Sequence, residues 1–235
     1  MLAMSRAVAI LFSFLLSHTL FGQNHYTAQR KQMVETQIKE RGIDNLAMLY
    51  ALLNVPRHLF VPEDLKAFAY NDNPLPIGNG QTISQPYIVA YMTQALRLKN
   101  DDRILEIGTG SGYQAAVLSK IVDTVYTIEI IEDLAKAAEK RLVNLGYTNV
   151  VVRRGDGYNG WPNKAPFDAI MVTAGAESIP QPLIDQLKVG GRMIIPVGPH
   201  NQVRQLVLVT KRKNKVIKRN VMAVRFVPFT RDNEE

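Results

Sequence analysis

Three glycines separated by hydroxyl residues, Gly108-Thr109-Gly110-Ser111-Gly112, join two apolar runs in the stretch ILEIGTGSGY, residues 104–113. Glycines so spaced let a strand turn sharply into a helix and bring a ligand against bare backbone. Glu129 stands about twenty residues on, at the end of the next apolar run, where a carboxylate can accept from both hydroxyls of a ribose. Asp156, between Gly155 and Gly157, ends a third run and can accept from an adenine amino group. Together these residues describe a nucleoside held at the carboxyl ends of adjacent strands. The glycine spacing is not the G-x-G-x-x-G that seats a pyrophosphate on a helix N-terminus. Glu106, two residues before the first glycine, is awkward beside a pyrophosphate but suits the ammonium and sulfonium groups of S-adenosylmethionine. The residues therefore favour S-adenosylmethionine over a dinucleotide.

A second candidate is QTISQP, residues 81–86, which carries Thr82 and Ser84 on either side of Ile83. No histidine stands near Ser84 in sequence and no metal ligands flank it, so its reading is open between nucleophile, helix cap and substrate handler. Ser84 occupies an N-cap position ahead of an apolar helix that begins with Pro86. The acceptor of a methyl group is narrowed by absences. Methylation of exocyclic nucleobase amines commonly uses a D/N-P-P-Y element after the fourth strand, where this chain reads TAGAES. Methylation at pyrimidine C5 uses a cysteine, and the chain has none. The same absence removes disulfides, zinc thiolates and any catalytic thiol.

These residues need a frame that brings strand ends together. The runs DRILEIG, TVYTIEI, NVVVRRGD, FDAIMVTAG and GGRMIIPVG read as strands. Helical patterns separate them at Tyr113–Ile121, residues 131–146 and Pro180–Leu187, which implies right-handed crossovers and a mostly parallel sheet covered on both faces. The tail, residues 203–229, holds two strand-like runs around a Lys/Asn turn and predicts an antiparallel hairpin. Upstream, the pattern predicts helices over Tyr26–Arg41 and Asn45–Asn54, then a long turn-rich loop over residues 71–82.

With 235 residues, 46% hydrophobic and 21% charged, the chain is globular, and its net charge of +7 could suit anionic partners. The basic run KRKNKVIKR falls on the hairpin turn without interleaved aromatics, so it reads as a solvated tip and not a nucleic-acid platform. Residues 1–23 carry Arg6 and an apolar run too short to span a bilayer, which fits a secretory signal. The expected organisation is that extension, then a helical and loop region over 24–102, then a core over 103–235, with 24–235 forming one compact unit.

The segments LPIGNGQTISQPYIVAYMTQAL, ILEIGTGSGY, GDGYNGWPNKAPFDAIMVTAGA and VRFVPFT resemble the protein-L-isoaspartate (D-aspartate) O-methyltransferase family, from about Met33 to Thr230. The resemblance implies a three-layer, Rossmann-like S-adenosylmethionine-dependent methyltransferase fold. It also implies methylation of the α-carboxyl of L-isoaspartyl residues, and more weakly D-aspartyl residues, in damaged proteins and peptides. Carried over by residue, Glu129 would bind the ribose, and Asp156 with Gly157 the adenine. Gly108 and Gly110 would lie against the methionine part beside Gly112 of the same turn. Thr82 and Ile83 would line the junction with substrate, Ser84 would be the active-site residue, and Thr230 would sit in a C-terminal segment folded over the cofactor. Some members carry a histidine five residues after the serine; here that position is Val89. The implied partners are isoaspartyl proteins, with no nucleic acid, no stable membrane association and a monomeric state. The family and its cofactor supply suit the cytoplasm, whereas the signal-like residues 1–23 suit export to the periplasm unless Met33 is a later start.

Overall fold

A computed structural model describes residues 25–200 and 202–232. The signal-like residues 1–23 lie outside the described residues. The first helix, α1 (residues 25–32), widens into a π turn over Met33–Ile38 and tightens into a 3-10 turn over Lys39–Arg41. The pattern predicts one regular helix here; the widened turn instead lets Met33, Val34 and Ile38 share one buried face. Gly42, at φ 85°, closes it in the left-handed conformation. Helix α2 (Leu46–Asn54) starts at Asn45, whose side chain accepts the Met48 N–H.

The expected loop over 71–82 contains a small antiparallel hairpin, β1 (Leu75–Gly78) and β2 (Gln81–Ile83). Pro76, Gly78 and Gly80 mask it in sequence, being residues that weaken strand patterns. Helix α3 (Pro86–Leu96) follows, with Pro86 in its first turn. Its N-cap is Gln85, with no side-chain hydrogen bond, so Ser84 is not the cap the sequence suggested. The reason is local: Pro86 opens the helix, which places the cap on the residue immediately before it.

The core then alternates. Strand β3 (Arg103–Ile107) leads to α4 (Tyr113–Ser119), β4 (Thr124–Glu129) to α5 (Glu132–Asn144), and β5 (Val150–Arg154) to β6 (Phe167–Val172). A short helix α6 (Gln181–Gln186), then β7 (Leu187–Val197), β8 (Arg204–Arg212) and β9 (Lys215–Val224) complete the chain. The seven-stranded sheet runs β5-β4-β3-β6-β7-β8-β9, parallel through β7 and antiparallel in the last two pairings.

Alternate residues face opposite layers. Ile104, Met171, Ile194, Leu206 and Leu208 join the cluster that also holds the buried residues of α2, α3 and α4. Leu105, Ile170, Met193, Val207 and Val209 pack with Leu183 and Ile184 of α6 on the other face. The chain progresses from β3 to β4 and β5 on one side, then returns to β6 on the other. That reversal opens a crevice at the carboxyl ends of β3 and β6, where ligands of open α/β sheets bind. Among the described residues no helix is long and apolar enough to cross a membrane.

Candidate functional site

The glycine turn leaves β3 through Gly108, at φ 94°, whose N–H donates to the Ile128 carbonyl at 2.8 Å. Any side chain at 108 would run into the hydroxyl of Thr173, which lies 2.9 Å from the Ile107 carbonyl oxygen and 2.8 Å from that of Gly108. Thr173 follows β6, so this hydroxyl clamps the glycine turn to the neighbouring strand end. The Gly110 N–H donates to Oε2 of Glu129 at 2.8 Å, and the Ile131 N–H donates to Oε1 at 3.0 Å. Two backbone donors thus fix a carboxylate that is only 6% exposed. Its remaining lone pairs stay available to two further donors.

Glu129, Gly108, Gly110, Gly157 and Thr230 line one cleft. Ile107, Ile131 and Phe229 contribute apolar walls, and among the described residues Glu129 is the only charged one of the lining. A phosphate would meet no cation there, whereas a nucleoside with a free ribose diol and a positively charged substituent matches the lining. Gly157 has no room for a side chain, because a Cβ would overlap Cγ2 of Ile107. The residues present therefore fit S-adenosylmethionine.

Asp156 accepts the Tyr158 N–H on Oδ1 at 2.9 Å and the Arg231 Nε–H on Oδ2 at 2.8 Å. The Arg231 guanidinium also lies 3.7 Å from the Tyr158 ring centroid. This clasp ends a strap formed by the residues after β9. Gly175 N–H donates to Val227 O at 2.8 Å, Phe229 N–H donates to Gly175 O at 3.0 Å, and buried Arg204 donates from Nη1 to Phe226 O at 3.1 Å. The strap closes one side of the cleft and carries Thr230 into its lining.

Ser84 lies in an adjoining cavity with Thr82, Gln85, Ile88, Thr173 and Arg225. Thr82, Thr173 and Val227 line both spaces. A smaller recess connects Ile83 and Ser84 to Gly108 and Gly110. Ser84 is half-buried, and its hydroxyl has no hydrogen-bond partner among the described residues. It is therefore free to bind an incoming group. Val89 is buried and apolar on the wall of the small recess.

Two residues expected at the cofactor stand apart from the cleft. Glu106 is fully buried, its Oε2 accepting from Thr127 Oγ1 at 2.5 Å, while that hydroxyl lies 2.7 Å from Thr109 Oγ1. Burial pushes its carboxyl up to about 8, against the lowering effect of the Thr127 hydrogen bond. Gly112 faces Leu142 and Ala138 of α5, so its missing side chain serves helix packing. Asp156 is brought to the rim, where Gly157 rather than its own carboxylate lines the cleft. Sequence reasoning missed Thr173, Arg204 and Arg231. Thr173 lies in the TAGAES segment read only for what it lacks, and the two arginines become meaningful only through partners far away in sequence.

The family model described as protein-L-isoaspartate(D-aspartate) O-methyltransferase matches residues 28–234. A protein-L-isoaspartate O-methyltransferase of Opitutus terrae is 62% identical over 88% of this chain and 88% of its own. The Gloeobacter violaceus protein of that name is 53% identical over 86% of this chain and 99% of its own. A solved protein-L-isoaspartate O-methyltransferase superposes with a TM-score of 0.79 at 30% identity, over 85% of this chain and 65% of that one. A putative Plasmodium falciparum relative, solved in complex with S-adenosyl-L-homocysteine, superposes with a TM-score of 0.75 at 28% identity, over 86% of this chain and 99% of that one. On the match across 28–234 and these relatives, the chain belongs to the protein-L-isoaspartate(D-aspartate) O-methyltransferase family.

Proposed function

We propose that Ser84 and Thr82 aim a substrate carboxylate at a methyl group presented from the neighbouring cleft. The reaction is methyl esterification of the α-carboxyl of L-isoaspartyl residues in damaged proteins and peptides. The ester then cyclises to a succinimide that hydrolyses partly to normal aspartate. Bound S-adenosylmethionine supplies a methyl group on a positively charged sulfur.

This chain's own residues divide the remaining work. Glu129, fixed by the Gly110 and Ile131 N–H groups, holds the ribose diol. The bare backbone of Gly108 and Gly110 admits the methionine part, and that of Gly157 admits the adenine. Asp156, already engaged with Tyr158 and Arg231, keeps acceptor capacity for an adenine amino group. Glu106 acts from beneath, stiffening the turn through Thr127 and Thr109.

A carboxylate is ionised at neutral pH and needs no base to attack a methyl sulfonium. The protein's contribution is alignment, which can supply several kcal/mol when reacting atoms are held in line. Ser84 donates to one carboxylate oxygen and leaves the other directed at the cofactor, so it serves as a positioning residue and not as a nucleophile. The observation that carries this reading is the meeting of the two cavities at Thr82 and Thr173, with the unpartnered Ser84 hydroxyl beside them.

The test is transfer of labelled methyl to an isoaspartyl peptide, with its aspartyl counterpart as control. Base-labile label on the isoaspartyl peptide alone supports the reading. Cofactor binding with transfer to neither peptide would leave a binding module or a methyltransferase of another oxygen acceptor. A cytoplasmic, monomeric protein suits this chemistry, because the cofactor is made in the cytosol; N-terminal sequencing of the natural protein would reveal whether residues 1–23 are removed on export.

A further inference from the structure

Helix α3 links two features of one face of the sheet. Its first turn lies at the Ser84 cavity, where Gln85 and Ile88 are part of the lining. Its last turn meets Arg192 of β7, whose Nη1 donates to the Ala95 carbonyl at 3.1 Å. Around that guanidinium stand Arg97, at the end of α3, and Arg212 and Arg219 of the β8–β9 hairpin. Burial and these three like charges together push the Arg192 guanidinium down. The sheet register explains the grouping. Arg192 pairs with Thr210 and Thr210 with Ile217, and Arg212 of β8 and Arg219 of β9 lie two residues to either side of that row, because the two strands are antiparallel. All therefore project from the face that α3 covers. None of the four forms an ion pair with a carboxylate among the described residues.

Four unpaired arginines repel one another, so their grouping favours an anionic partner. The patch is also continuous with the Ser84 cavity. Beyond Arg219, strand β9 runs to Ala223 and Val224, which line that cavity together with Arg225. Among the described residues no strand pairs with the outer edge of β9, which is exposed from Lys215 to Asn220. The eleven residues of α3 span about 16 Å at a helical rise of ~1.5 Å. An extended polypeptide covers that distance in about five residues.

We propose that the Arg97, Arg192, Arg212 and Arg219 patch binds acidic side chains of the substrate polypeptide, four to six residues from the isoaspartyl position held at Ser84. This rests on the isoaspartyl reading above and specifies which damaged sites the protein prefers. Chain direction across the face is fixed by the site, so the preference falls on one side of the isoaspartyl residue only. Flexible acidic segments then reach the patch while the damaged residue occupies the cavity.

The test uses five peptides with one central isoaspartyl residue: one neutral, two with three glutamates at positions four to six on either side, and two with lysines there. Initial rates at low salt give KM and kcat, and fluorescence anisotropy of the same labelled peptides gives binding separately. The expected result is a five- to tenfold lower KM for one acidic peptide with kcat unchanged, about 1–1.4 kcal/mol in all, which two or three exposed charge pairs can supply together. The preference should vanish in the Arg212→Gln/Arg219→Gln double variant and fade at about 0.5 M salt. Equal KM for all five peptides, or a preference that survives the double substitution, would overturn the proposal. Failure to methylate even the neutral peptide would sink the isoaspartyl reading instead, and anisotropy would still decide whether the patch binds acidic chains. An oligoribonucleotide that binds the same arginines more tightly than the acidic peptide would reassign the patch to nucleic acid.

Discussion

Replacing Gly157 with alanine inserts one methyl group between the end of β3 and the cofactor cleft. Gly157 does not adopt a left-handed backbone, so the effect is steric alone. The new Cβ would overlap Cγ2 of Ile107 and lie 3.5 Å from both Cβ and Cδ1 of that residue. Ile107 has little freedom to retreat. It is 3% exposed, pairs with Ile128 and Val172 on both sides, and carries Cγ2 directly on a branched carbon. Restoring ordinary contact requires a shift of about 1.5 Å, and overpacking of this kind costs about 1–3 kcal/mol. Both residues line the cleft, so the displacement narrows it, and S-adenosylmethionine affinity should fall about tenfold or more, ~1.4 kcal/mol. Ile107→Ala removes Cγ2 and alone should cost about 2–5 kcal/mol as a cavity. In the double variant the new methyl occupies part of that cavity, so its cost should fall short of the sum of the two single costs by about 1 kcal/mol or more. Urea unfolding and calorimetric titration with the cofactor measure both quantities. Strict additivity, or a Gly157→Ala protein with unchanged affinity and stability, would refute the reasoning.

Glu129→Gln leaves one of two backbone N–H groups facing an amide NH2 and weakens the acceptor for the ribose, so the cofactor Kd should rise about thirtyfold or more in calorimetry, ~2 kcal/mol. Arg231→Ala removes the clasp between strap and Asp156; stopped-flow should show cofactor release several-fold faster, while stability changes by less than about 1 kcal/mol because the pair is partly exposed. Glu106 supplies a pH signature. Its carboxyl ionises in the unfolded chain near the ordinary value of 4.5 but keeps its proton in the fold until about 8, so between those values the folded state binds more protons. This group therefore makes stability fall as pH rises from about 5 to 8. Glu106→Gln should flatten that slope in unfolding experiments, and the difference between the two proteins should be constant above about pH 8.

The strands were legible because β3, β4 and β6 are buried on both faces and read as nearly continuous apolar runs. The glycine turn and Glu129 were legible because close backbone approach and a strand-end acid leave local marks. Less was visible where partners are distant. The Asp156–Arg231 clasp joins residues 75 positions apart, and nothing near Arg231 signals an acid waiting for it. Thr173 reads as one more polar residue after a strand until Gly108 is placed against it. Glu106 illustrates the opposite difficulty. Its position before the glycines suggested a charge at the ligand, but the strand alternation turns it into the sheet layer beside Thr127. The cap at Ser84 was a local misreading that Pro86 could have corrected, since a proline in the first helical position fixes the cap one residue before it.

In the proposed reaction the protein aligns an already ionised carboxylate and uses no base. Single-turnover methyl transfer to an isoaspartyl peptide, followed from pH 5.5 to 9 in the native protein and in Ser84→Ala, tests it most directly. Alignment alone gives a flat profile in both proteins, with the variant about ten- to a hundredfold slower at every pH and its S-adenosylmethionine Kd unchanged. A limb titrating near pH 7 that disappears in the variant, or a variant as fast as the native protein, would contradict it.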